Sequence, residues 1–296
     1  MSVPAATLRA MMRRLVDYAG LFPPAELSMP DATARYASYL RSSDAWMLGR
    51  FVVPVERLDE LASCVEPLQR DGGEAWRISV LVGKDPKAGV RIRTFNHAQR
   101  GRLMADVVEC RPIARGSVAS TIGSLPGEMR IFVELPLLDD PRSGLQEIRG
   151  AGAWAKIRTG GVTPDVFPSA REIGRFLARA AELIVPFKAT AGLHHPLCGT
   201  YPLTYAASAP RGRMFGFLNV FAATVFAQAH MNERLLAELV DEEHADAIRF
   251  SDDSLSWRDH TATTTQIARA RASLGLAFGS CSFEEPVAGL RELGLL

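Results

Sequence analysis

Apolar residues in this chain fall into short β-rich runs separated by longer stretches in which they recur every three or four positions. Runs at 13–22, 45–54, 75–83, 105–112, 129–137, 153–161, 184–192 and 274–282 have strand character. Between them, 30–40, 55–68, 95–104, 117–125, 141–152 and 169–183 carry a helical period, and 284–296 closes the chain as a helix. Strict strand–helix alternation predicts a parallel sheet with crossover helices. Eight such units predict a (β/α)8 TIM barrel, and a doubly wound open sheet is the alternative. No GxGxxG turn follows the first strand, which argues against dinucleotide binding. The whole of 1–296 is read as a single barrel domain.

The rhythm breaks once. Residues 193–271 hold more chain than one crossover requires. They contain an apolar helix near 214–230 interrupted by Asn219, a second helix near 232–243, a strand within 246–251 and a polar turn at 251–260. The elaborated region after strand seven, about 200–257, is expected to cover the barrel mouth as a lid or to form a subunit contact. The stretch 215–226 is too apolar to lie exposed on a monomer, so a homo-oligomer is among the expectations.

Composition narrows the function classes. Hydrophobic residues make up 47% of the 296, enough for one large core. Lys+Arg 34 against Asp+Glu 33 leaves a net charge of +1, unlike the basic face of a general nucleic-acid binder. No apolar run reaches the length of a membrane span. Arg9, Arg13 and Arg14 interrupt the N-terminal stretch, which reads as an amphipathic helix and not a signal peptide. Cys64, Cys110, Cys198 and Cys281 show neither CxxC spacing nor a disulfide pattern, and a cytoplasmic location is expected.

Candidate chemistry sits near strand ends. Alternation puts Lys156 with Arg158, Lys188 with Thr190, Phe132 with Glu134, and Leu48 with Arg50 on shared faces. Lys156, Arg158, Lys188, Glu134 and Arg50 are therefore expected around one cavity where the barrel opens. A lysine beside other cations gives up its proton more readily and can attack a carbonyl as a free amine. The alternative is that these lysines pair with carboxylates such as Glu134 and only hold the mouth together. Asp17 either reaches the same cavity or caps the turn before Pro23 and Pro24. His194 and His195 suit an acid–base or hydrogen-bonding role, or a metal site if Asp252, Asp253 and His260 join them in space. Cys281 is a small packed residue or a nucleophile.

The segments KIRTGG (156–161), KATAGL (188–193) and FGSCS (278–282), in that order on the last three strands, resemble the class I deoxyribose-phosphate aldolase family. That family carries K-x-x-T-G on strand six, K-x-x-G-G on strand seven and a G-[AS]-S-S-like turn on strand eight. The resemblance covers about 25 residues. It implies that Lys156, within the motif ending in Thr159 and Gly160, is the Schiff-base lysine, and that Lys188 lowers its pKa. It implies that Gly192 and the Gly279, Ser280, Cys281, Ser282 turn hold a phosphate or carboxylate through backbone N–H groups. The family's strand-four aspartate corresponds to Asp106, with Glu109 or Glu134 as alternatives. Arg158 replaces a small polar residue, Ala191 breaks the paired glycines, and the chain from Lys188 to Gly279 is longer than in the family.

The expected function is an aldolase or lyase acting on a small anionic carbonyl compound through a lysine imine. Lys156, Lys188, Glu134, Asp106 and His194 would be catalytic; Arg158, His195, Arg50 and Asp17 would help hold the substrate. No cofactor is implied, and neither nucleic acid nor membrane is an expected partner. The rivals are a metal-assisted hydrolase or lyase using His194 and His195, and a non-catalytic barrel that binds a small anion.

Overall fold

The computed structural model describes residues 4–69, 74–83, 85–111, 118–123, 125–137 and 140–296. Its strands are β1 (Val16–Tyr18), β2 (Leu48–Pro54), β3 (Trp76–Val82), β4 (Leu103–Cys110), β5 (Arg130–Glu134), β6 (Trp154–Arg158) and β7 (Phe187–Thr190), then β8 (Gly199–Pro202), β9 (Arg211–Met214), β10 (Ile248–Phe250), β11 (Ser254–Trp257), β12 (His260–Thr263) and β13 (Gly275–Ser280). β1 to β7 and β13 close a barrel in sequence order, each parallel to its neighbours. This is the (β/α)8 architecture expected from the alternation, and the open-sheet alternative falls away. Barrel strands are covered on their outer face by helices and filled inside by side chains, so they read as near-continuous apolar runs such as Phe51-Val52-Val53.

The outer helices follow local rules. Helix Ala170–Leu183 starts with a capping box in which Ser169 and Glu172 satisfy each other's backbone N–H groups, and it stops where Ile184 turns left-handed at φ 53°. It buries Ile173, Phe176, Leu177 and Ala180.

Helix Phe217–Gln228 corrects the expected lid. Every residue from Phe217 to Ala227 is buried. Phe217 and Phe221 lie against Phe278 of β13, and Phe221 stacks over Phe187 of β7. Gly275 permits this approach: a Cβ there would lie 2.8 Å from Thr224 Cγ2. Helices Ala170–Leu183, Glu233–Val240 and Thr264–Ser273 cover its other sides. The apolar stretch is therefore the crossover helix between β7 and β13, sealed within the chain. Its polar interruption is used: Asn219 accepts from the Cys198 N–H at 2.9 Å and donates to the carbonyls of Leu239 and Glu242.

The rest of the 200–257 segment divides between places. The β8–β9 hairpin reaches the mouth, where the hydroxyl of Tyr205 donates to Glu285 at 3.2 Å. The antiparallel sheet β10–β11–β12 packs on helix Ala6–Met12: Ala6 N donates to Asp252 Oδ1 at 2.9 Å, and Thr7 Oγ1 to the Ser251 carbonyl. Among the described residues no helix is long and apolar enough to cross a membrane.

Candidate active site

β6 lies between β5 and β7 with Glu134 opposite Lys156 and Lys156 opposite Lys188. The three side chains point the same way into the barrel, where Glu109 of β4 and Asp17 of β1 meet them. Lys188 Nζ donates to Asp17 Oδ2 at 2.7 Å and to Glu109 Oε1 at 2.6 Å. Lys156 Nζ stands 3.2 Å from Glu109 Oε2 and 3.1 Å from Glu134 Oε2. Arg111 closes the series 3.1 Å from Glu134 Oε1. Acid and base thus alternate from Asp17 through Lys188, Glu109, Lys156 and Glu134 to Arg111. Lys188 and Asp17 are 1% exposed, Glu109 3% and Lys156 4%, so these four charges are out of water, whereas Glu134 is only partly buried and Arg111 is exposed.

Burial disfavours each of these charges, and their neighbours restore them. For Glu109, burial is the larger single influence and raises its pKa, but Lys188 and Lys156 together hold it well below the usual carboxylate range. Burial likewise works against the Lys188 ammonium, while Asp17 and Glu109 carry its pKa above the ordinary value. This arrangement corrects the expected lever on Lys156: a carboxylate stands between the two ammonium groups, so they do not repel each other unscreened. The lysines also differ. Lys188 is fixed by two directed hydrogen bonds. Lys156 meets its carboxylates at ion-pair distance but too obliquely for hydrogen bonds, and Glu134 Oε2 has no hydrogen-bond partner among the described residues.

A cavity of about 320 Å³ opens above these groups, lined among others by Lys156, Lys188, Glu109, Arg111, Arg158 and His194. It falls in the size range of small-molecule sites. Arg158 and Arg111 are exposed at its rim. His194 is buried on the loop after β7. Burial opposes its charge, but contacts with Cys281 (Nδ1 to Sγ 4.0 Å) and Glu285 (Nδ1 to Oε2 2.8 Å) outweigh this and lift it to about 9. Cys281 lines the same cavity.

Other residues singled out in the sequence have different places. Arg50 and Asp106 were expected at the mouth. They pair at 2.6 Å at the opposite, amino-terminal end, where Arg77 joins the same carboxylate. Alternation gives the face a side chain takes and not its depth along the strand, so the strand-four carboxylate of the cavity is Glu109. Thr159 and Gly160 build a loop and do not line the cavity. Thr159 N donates to the Thr190 carbonyl at 2.9 Å and its hydroxyl to that of Ala191 at 2.5 Å. A Cβ on Gly160 would meet the Phe167 ring at 2.3 Å. Gly192, at φ 79°, lines the cavity, and a Cβ there would lie 3.0 Å from Gly160 Cα.

In the last turn, Gly279 faces the cavity, whereas Ser280 and Ser282 serve the turn itself. Ser280 Oγ accepts from Ser282 N at 3.4 Å, and Ser282 Oγ accepts from Glu285 N at 3.2 Å. Glu284 and Glu285 open the following helix and disfavour an anion at its N-terminus. His195 turns away and stacks on Tyr201 with centroids 3.6 Å apart; burial, with the His194 charge, lowers it to about 4. His260 stacks on Trp257, and Asp252 accepts from the first helix. The proposed metal ligands therefore do not meet one another. Of the cavity groups, Glu109 had a readable signal, a carboxylate inside the apolar run Val107-Val108-Glu109-Cys110.

A cavity lined by two buried amines, Glu109 and rim arginines, with Asp17 and Glu134 paired to those amines behind its wall, can bind an anion, exchange protons and present an amine to a carbonyl carbon. Compared with protein-family models the chain gives no match, and a search of curated proteins gives none either.

Proposed function

We propose that this protein is a lyase of the class I aldolase type, acting on a small anionic carbonyl compound through an imine on Lys156. The observation that carries the reading is the shared cavity of Lys156 and Lys188, in register on neighbouring strands and bridged by Glu109. It fits the resemblance of the strand-six and strand-seven motifs, with Glu109 in the strand-four role. Lys156 passes its proton to a neighbouring carboxylate, most directly Glu134, whose Oε2 lies 3.1 Å away and unbonded. The free amine attacks the carbonyl carbon, the oxygen takes up a proton, and loss of water leaves the iminium. The carbon–carbon bond then breaks, its electron pair passing into the iminium as the β-hydroxyl gives its proton to a carboxylate. Protonation of the enamine carbon and hydrolysis of the imine return Lys156. Arg158 and Arg111 hold the substrate anion at the rim.

A second reading has its own observation. Both lysines already face two carboxylates each, so the series is electrically balanced and the barrel could bind a small anion without covalent chemistry. One experiment separates them. Borohydride with a panel of small aldehydes and keto acids is expected to fix a mass adduct on Lys156, and Lys156→Ala is expected to abolish it. Absence of any adduct, or an adduct that survives Lys156→Ala, overturns the imine reading; anion binding without an adduct favours the second.

A further inference from the structure

At the other end of the barrel, where β1, β2 and β3 begin, lies a cavity of about 590 Å³. Arg9, Arg13, Arg14, Arg50 and Arg77 line it, beside Trp46. Two carboxylates answer these five guanidinium groups. Asp106 takes both Arg50 and Arg77, and Glu74 lies 3.2 Å from Arg14. The second pair is weak, because its side chains are 50% and 78% exposed and water screens them. Arg9 makes no ion pair among the described residues and rests over the Trp46 ring at 5.0 Å. The cavity therefore concentrates a net charge of about +3 in a chain whose total is +1.

The backbone holds this arrangement in place. Arg14 sits at φ 49°, a left-handed conformation that residues with a side chain rarely adopt, and its N–H donates to the Trp46 carbonyl at 2.8 Å. Local strain of this kind persists where the surroundings fix it. Guanidinium forks match phosphate oxygens in pairs. The cavity is far larger than one phosphate group and its excess charge exceeds what one phosphate supplies.

We infer that this amino-terminal cavity is a binding site for an oligophosphate group, held by Arg9, Arg13 and Arg14 with Arg50 and Arg77 at its floor. The site is separate from the Lys156 cavity and does not depend on the chemistry proposed there.

Calorimetric titration of the full chain with sodium tripolyphosphate tests it. One-to-one binding is expected, weakening as salt rises. The double variant Arg9→Gln/Arg13→Gln should lose at least about tenfold in affinity. Both residues are exposed, so the variant should keep its melting temperature, which shows that the loss is not unfolding. Tryptophan emission should also change on binding in the parent, because Arg9 leaves or tightens on Trp46, and the Arg9→Gln/Arg13→Gln variant should lose that change. No binding at millimolar tripolyphosphate overturns the inference, as does equal affinity in parent and variant. Borohydride trapping at Lys156 reads the other cavity and is expected to be the same in both proteins.

Discussion

Glu109 accepts hydrogen bonds from Ser79 and Lys188 and stands 3.2 Å from Lys156, so two buried ammonium groups share one carboxylate. Removing that charge while keeping the side chain's size leaves both cations under-compensated in a dry interior. Glu109→Gln should therefore destabilise the fold by about 3–5 kcal/mol, read from urea unfolding. The pH dependence has a definite sign. Because the folded pKa of Glu109 is depressed, its contribution is present above the ordinary carboxylate range and is lost as pH falls through the folded value. The Gln variant should show a shallower loss of stability in acid than the parent. A variant with full parental stability would mean that the carboxylate carries little of the balance described above.

Between elements, helices Ala170–Leu183 and Glu233–Val240 approach closely. A Cβ on Gly174 would lie 2.8 Å from the Ala237 backbone nitrogen. Propensity alone favours alanine over glycine in a helix by about 1 kcal/mol. The backbone contact should win, and Gly174→Ala should lower stability by about 1–3 kcal/mol in thermal or urea melts. At this scale the limits of sequence reading are also clear. The barrel strands were legible as apolar runs, and Lys156 and Lys188 as inward residues of adjacent strands, because period two is a local property. Depth was not legible, which is why Arg50 was expected at the wrong end; Asp106 was placed there by the family resemblance. Helix Phe217–Gln228 was misplaced because an all-apolar helix says only that it is covered, not by what. β11 was read as part of a polar turn, although Leu255 and Trp257 alternate with two serines and are both buried.

For the whole molecule, distant parts of the chain are joined at the mouth: His194 after β7 meets Glu285 at the start of the last helix. The folded pKa of His194, about 9, lies above its ordinary 6.5. The linked stability is full below about pH 6.5 and is lost as pH rises through about 9. A decline on the order of 3 kcal/mol across that window is expected in melting experiments and should flatten in His194→Gln. The alternating series from Asp17 to Arg111 has a consequence for how such a sequence can change over time. Its buried members, Asp17, Lys188, Glu109 and Lys156, cannot drift freely one at a time, since each single loss leaves an opposite charge under-compensated in the interior. Lys188→Met and Asp17→Asn should each be costly, and the double variant should be less so than the two effects added, a coupling that a double-mutant cycle measures. Replacement at these positions must then pass through paired substitutions, so the barrel interior admits far fewer single-step routes than its helical surface does.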